Sequence, residues 1–211
     1  MIAVVCAVPA ERRALAELSG PDLAIHLSGM GAAAAGRTAA LVTASPLRAL
    51  VSAGFCGALS PTLRVGDLVA PDEVRDEDSG ETFAPDPELL AAAPGARGTL
   101  VSALRLARTP ADRARLEGVA VDLESAALAR ACQEAGVPFL ALRAVTDEVS
   151  HRLPDFDRLM DAAGRLTPGA GLLYFLRHPR EVPALVRLGP AVREAGHALR
   201  AGLEQTLGRL R

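Results

Sequence analysis

The sequence predicts a three-layer α/β/α domain with a helical C-terminal tail. Two observations over the first 150 residues carry the domain, and a third sets the tail. Apolar runs of strand length recur without polar alternation, so their strands are buried on both faces. Helix-like stretches lie between several of them and supply the covering layers. From about residue 155 the pattern becomes wholly helical. A chain of 211 residues, 50% of them apolar, is long enough for one domain with a sizeable core. Residues 1–150 make its α/β core and 151–211 its helical extension.

The opening MIAVVCAV gives a first strand over 2–8. It has no basic n-region and meets Glu11, Arg12 and Arg13 at once, so it reads as neither signal nor membrane span. A helix over 10–18 and a strand over 23–28 follow. Ser28-Gly29-Met30-Gly31 then turns into an Ala-rich helix over 31–44. The third strand, 49–54, closes on Gly54-Phe55-Cys56-Gly57-Ala58. Pro61 to Asp67 forms a turn, with Asp67 bonding its N–H groups, and a strand over 66–70 leaves it. Residues 71–88 are acidic and Pro-rich and read as a solvated loop. A helix over 86–93, a strand over 98–104, a helix over 110–117 and a strand over 118–122 come next. A helix over 124–135 and a strand over 137–146 complete the core. In the tail, Leu185, Leu188, Val192, Ala195, Leu199, Leu203 and Leu207 make one apolar stripe. Residues 177–211 hold seven Arg against three Glu. The stripe reads first as a helix packed on the sheet, with a subunit or anionic membrane surface as the other contacts it suits.

Net charge is −2, which gives no global reason to expect nucleic acid. All 23 basic residues are Arg, and Lys, Asn and Trp are absent, the bias of a GC-rich genome. Cys6, Cys56 and Cys132 are far apart in apolar stretches. They read as buried thiols of a cytoplasmic protein, not as disulfides or a zinc site, and no metal is expected.

The chemistry concentrates in VAVDLESAALARACQEAGVPFLALRAVTD, residues 119–147. Asp122 and Glu124 end one apolar strand and Asp147 ends the next, at the sheet edge where open α/β folds place ligands. Glu11, just past the first strand, can face the same cleft. An acid in a first helical turn is also stabilised by the helix dipole alone. Several carboxylates at one edge suit cleavage of an N-glycosidic bond: one protonates the leaving base, one holds sugar hydroxyls, one activates water. Crowding raises carboxyl pKa values, which suits the proton donor. A metal site, or acids that simply pair with Arg143, are the alternatives. The Ser28–Gly31 loop, read through to Gly36, is a weak dinucleotide-type fingerprint. It follows the second strand, and no acid ends the next strand to hold a ribose, so a nicotinamide cofactor is not expected.

GFCGALSPTL leading into VGDLV, and VDLESAALARACQEAGVPFLALRAVTDE, resemble the nucleoside phosphorylase/nucleosidase superfamily over about residues 1–150. The nearest branch is that of the methylthioadenosine/S-adenosylhomocysteine nucleosidases. The resemblance implies a nucleoside phosphorylase-like α/β domain with a central mixed sheet, assembled as a homodimer or larger homo-oligomer, with a small nucleoside as substrate. It implies no cofactor, though phosphate is a possible co-substrate. By the same resemblance Asp147 protonates or hydrogen-bonds purine N7, Glu124 binds ribose hydroxyls, and Glu11 activates water. Met30 lines the nucleoside pocket, and Gly31, Cys56, Gly57 and Arg143 complete the substrate-binding set. Two members of that set depart from the family. Leu123 stands where a Met usually lies under the ribose, and Phe55 where a hydroxyl residue meets the nucleophile. The Gly-Asp-x-Gly-Arg phosphate loop of hexameric phosphorylases is replaced by AVPAERRAL, which favours water as nucleophile.

The tail segment LPDFDRLMDAAGRLTPGAGLLYFLRHPREVPALVRL resembles the hopanoid-associated phosphorylases. That subfamily is linked to removing adenine from adenosylhopane in bacteriohopanepolyol synthesis. The resemblance implies a large apolar 5′ substituent and a peripheral contact with the inner membrane. Methylthioadenosine nucleosidase, futalosine hydrolase, a general purine nucleoside phosphorylase and a non-catalytic nucleoside binder are the other readings.

Overall fold

The computed structural model describes residues 1–18, 20–155 and 182–210. Its centre is a nine-stranded mixed sheet built around one long strand. That strand, β3 (Ala49–Ala58), follows β1 (Ile2–Cys6), α1 (Pro9–Leu15), β2 (Leu23–Leu27) and α2 (Ala32–Thr43). After it come β4 (Leu68–Val69), β5 (Glu73–Asp76), β6 (Thr82–Phe83), α3 (Pro87–Ala92), β7 (Thr99–Ser102) and α4 (Pro110–Arg113). The rest are β8 (Ala120–Asp122), α5 (Ser125–Ala135), β9 (Phe139–Asp147) and α6 (Val182–Arg209).

The first half of β3 lies between β1 and β9, parallel to both. Its last residues turn to β8, which runs antiparallel to it, Gly57 opposite Val121 and Ala58 opposite Ala120. Strands β7 and β5 extend that wing in parallel, and β6 closes it antiparallel. Because β8 runs back along β3, its final residue Asp122 is brought toward the middle of the sheet.

Strand alternation divides the core between the two faces. Ala141 and Val145 of β9 pack with Ala35, Ala39, Leu128 and Cys132 of α2 and α5. Leu140, Leu142 and Ala144 pack with Leu15 of α1 and Ala195, Leu199 and Leu203 of α6. The three layers are therefore as expected, and so is the packed apolar stripe of the tail apart from Leu185, whose side chain lies outside those described. Ala195, Leu199 and Leu203 are fully buried, and Leu188, Val192 and Leu207 half-buried. The expected helical stretch between 156 and 181 lies outside the described residues. Among the described residues, no helix is long and apolar enough to cross a membrane.

Two segments differ from expectation. Residues 71–88 are not a solvated loop throughout: β5 and β6 form a hairpin that adds to β7. Val74 and Phe83 drive it, both buried within acidic surroundings. Arg130 of α5 clamps it, pairing with Asp76 at 2.6 Å and Glu81 at 3.0 Å, with its guanidinium 5.3 Å from the Phe83 ring. The helix expected over 110–117 is a single turn, α4: it starts at a capping box in which Thr109 and Asp112 bond each other, and it ends at Arg113.

Candidate active site

Three chain segments deliver buried carboxylates to the ends of β1, β8 and β9. Pro9 opens α1 immediately after β1, so Glu11 falls in the first helical turn. Its Oε2 accepts the N–H groups of Ala7 (2.7 Å) and Val8 (3.0 Å), and its Oε1 accepts that of Phe55 (2.7 Å). Glu11 thus bridges the β1–α1 turn to β3 and is only 3% exposed. Burial pushes its pKa up, against the Arg143 charge and those three N–H groups.

Glu124 is the residue before α5. Its Oε1 accepts the Gly31 N–H at 2.8 Å, which ties the end of β8 to the start of α2. Gly31 has φ +87°, a conformation that favours glycine, and half-buried Met30 precedes it. Burial first, then the Asp122 and Glu11 charges, raise Glu124 to about 7, with Arg143 opposing. Asp122 pairs with Arg143 at 2.6 Å and accepts the Ser125 N–H at 3.1 Å. Arg143 also donates to Ser52 (2.6 Å) and Ser125 (2.8 Å) and is itself buried. Arg143 therefore stands behind the carboxylates, holding the floor on which they sit.

Asp147 reaches its place through an irregularity in pairing. Cys56 faces Val145, but the next pair is Gly57 with Asp147, so β9 carries one extra residue, Thr146. Such bulges re-aim side chains. The Asp147 Oδ1 accepts the Thr146 hydroxyl at 2.8 Å, and Oδ2 pairs with Arg113. A Cβ on Gly57 would lie 2.9 Å from Oδ2, so the glycine makes room for the acid. Burial raises the Asp147 pKa, while Arg113, Thr146 and His151 lower it. The Cys56 thiol of β3 is buried as well. Burial raises its pKa most, Arg143 lowers it, and Asp147, Asp122 and Glu11 raise it further. Beside Asp147 opens a cleft of about 260 Å³, walled by Val65, His151 and Arg152 on one side and by Leu188 and Ala191 of α6 on the other.

Glu11, Glu124, Gly31 and Arg143 thus belong to one charged group together with Asp122, and Asp147 stands with Gly57 and Arg113 at the end of β9. The Cys56 thiol and the Phe55 ring pack into opposite cores, leaving their backbone as what they offer the site; the Phe55 N–H already holds Glu11. Leu123 packs with Ala103, Ala107 and Val121. Sequence reasoning missed Arg113. It sits among Arg105, Arg108 and Arg115, and nothing local distinguishes it from them. Among the described residues, no three or more His, Cys, Asp and Glu are grouped to hold a metal.

Two consequences are measurable. A Cβ at Gly54 would lie 2.1 Å from Arg143 Nη1 and 2.7 Å from Glu11 Oε1. Gly54→Ala should destabilise by about 2–4 kcal/mol in urea unfolding, since both atoms are buried and held. The second concerns pH. An unfolded Glu124 ionises near 4.5, and the folded one near 7. Its stabilising contribution is full below 4.5 and is lost as pH rises through 7. Glu11 and Asp147, also raised, add the same sign. Glu124→Gln should therefore lose less thermal stability between pH 5 and 8 than the wild type.

The same arrangement of elements recurs in known structures. Futalosine hydrolase of Helicobacter pylori superposes with a TM-score of 0.74 at 15% identity, covering 98% of this chain and 97% of that one. A mutant of the Helicobacter pylori methylthioadenosine nucleosidase, with 5′-methylthioadenosine in its active site, gives 0.73 at 15% identity over 98% and 97%. The methylthioadenosine/S-adenosylhomocysteine nucleosidase of S. pneumoniae, with a transition-state inhibitor, gives 0.74 at 17% identity over 100% and 99%. At such identities the likeness is one of fold. The family profile of the phosphorylase superfamily matches residues 2–167, most of the chain and every carboxylate described above. The chain is an enzyme of the phosphorylase superfamily.

Proposed function

We propose that the protein hydrolyses the N-glycosidic bond of a 5′-substituted adenosine and releases adenine. Glu124, buried and bonded to Gly31, accepts the ribose hydroxyls. Asp147 gives its proton to purine N7. The C1′–N9 bond breaks with its electron pair on the base, so neutral adenine leaves and positive charge develops on the sugar. Water adds at C1′ and passes a proton to Glu11. Each carboxyl is lifted by burial, which suits groups that give or take protons near neutrality.

The observation that carries water over phosphate is the position of Glu11. The free N–H groups where the chain enters α1 would be the natural cradle of an anion. Here the Glu11 carboxylate already occupies those of Ala7 and Val8. A phosphate would meet a buried carboxylate in place of donors.

For the substrate we favour adenosylhopane, on the resemblance of the tail. The exposed apolar side chain of Leu104, just past β7, suits a substrate that carries a large hydrocarbon. Val182 and Val186, exposed on α6 beside Arg187, support a contact with an anionic bilayer. The test is adenine or hypoxanthine release from adenosylhopane, methylthioadenosine, S-adenosylhomocysteine, futalosine and inosine, each with and without phosphate. We expect adenosylhopane to give the highest kcat/KM, with phosphate making no difference. Preference for another nucleoside reassigns the substrate, and cleavage only with phosphate overturns hydrolysis.

A further inference from the structure

We infer that Arg113 is a positioning residue for Asp147: it fixes the carboxyl's orientation and stabilises the carboxylate left when the proton departs. This rests on Asp147 being the proton donor. Arg113 comes from the single turn of α4, and its side chain is 1% exposed. One arm of its guanidinium, Nη2, pairs with Asp147 Oδ2. The other, Nη1, donates to the carbonyls of Glu148, Val149 (3.3 Å) and His151 (3.0 Å). The acid and the loop that follows it, which lines the cleft, are thus held by one planar cation. A forked guanidinium can hold two directions at once, and a lysine cannot.

The physical need is specific. A carboxyl buried with no cation beside it keeps its proton, because its anion has no solvation there. Such an acid is a poor donor. Arg113 supplies the missing stabilisation only for the charged form, which appears as the proton moves to N7. The other charged and titratable groups facing Asp147 do this less directly. His151 and Arg152 lie on the following loop, Arg187 and Glu194 line the cleft from α6, and the Cys56 thiol lies on β3. Among the described residues, Arg113 is the cation in ion-pair contact with Asp147.

The experiment has two readouts. The first is carboxyl NMR titration of Asp147 in the ligand-free protein. In Arg113→Met its titration should move to higher pH by at least about one unit, and in Arg113→Lys it should stay within about half a unit. The second compares 5′-methylthioadenosine with 4-nitrophenyl β-riboside, whose leaving group needs no proton. Arg113→Met should lower kcat for the adenine nucleoside by about 10²-fold, leave nitrophenyl release within about twofold, and leave KM unchanged. Equal losses on both substrates, or an unmoved Asp147 titration, overturn the proposal. Should Arg113→Met not fold, Arg113→Lys decides: it should lose about tenfold in kcat on the adenine nucleoside alone, and equal losses on both substrates overturn the proposal. A wild type that cleaves no nucleoside would refute the proposed function, while the titration would still judge the tie between Arg113 and Asp147.

Discussion

Asp147→Asn should lower kcat for adenine release by about 10³-fold while the protein remains folded. The amide has nearly the shape of the acid, so the space opposite Gly57 stays filled. Its oxygen can still accept from either Thr146 or Arg113. What it lacks is a transferable proton and an anionic state. The variant also leaves a buried guanidinium without a charged partner, which costs stability. The thermal midpoint should therefore fall, by several degrees if the cost is about 1–2 kcal/mol. Adenine release under saturating nucleoside, alongside circular dichroism, checks both parts. Near-wild-type turnover in a folded Asp147→Asn protein would remove Asp147 from the chemistry.

Glu11→Gln should abolish hydrolysis to a similar degree, about 10³-fold in kcat, by a different route. Glu11 accepts hydrogen bonds through both oxygens, on one side from Ala7 and Val8 and on the other from Phe55. A glutamine can satisfy only one side, and its amide NH₂ must face donors on the other. The variant loses the base and frees N–H groups at the start of α1. Added phosphate should then bind better than in the wild type and support residual cleavage. Ribose versus ribose 1-phosphate among the products reads this directly. If Glu11→Gln hydrolyses normally, the water is activated elsewhere.

The sequence made the long, strongly apolar elements plain. Strands β1, β3 and β9 are continuous buried runs, and the acids at their ends stand out because packing gives no reason for them. Short elements were another matter. Strand β6 has two residues and β5 four, and each offers only one buried apolar side chain to a reader of periodicity. Their identity as strands comes from pairing with β7 and from Arg130, both distant in sequence. The Asp147–Arg113 pair was hidden for the same reason. Its two members are 34 residues apart, and the fold alone brings them together. The register slip at Thr146 also has no local signature, although it aims the acid. The resemblance over residues 1–150 supplied roles for Glu11, Glu124 and Asp147 that composition left open among three chemistries.

Helix α6 splits its sequence between two duties along its length. Ala195, Leu199 and Leu203 fill one face of the core, while Ala184, Leu188 and Ala191 wall the cleft. Pro190, which lacks the N–H that a helix interior uses, lies within the cleft-lining set, before the buried residues begin at Ala195. Substitutions in the first half can resize the cleft without disturbing the packing of the second. Preference for a leaving group or a substituent can therefore drift over generations at nearly constant stability, a freedom that the strands carrying the carboxylates do not have.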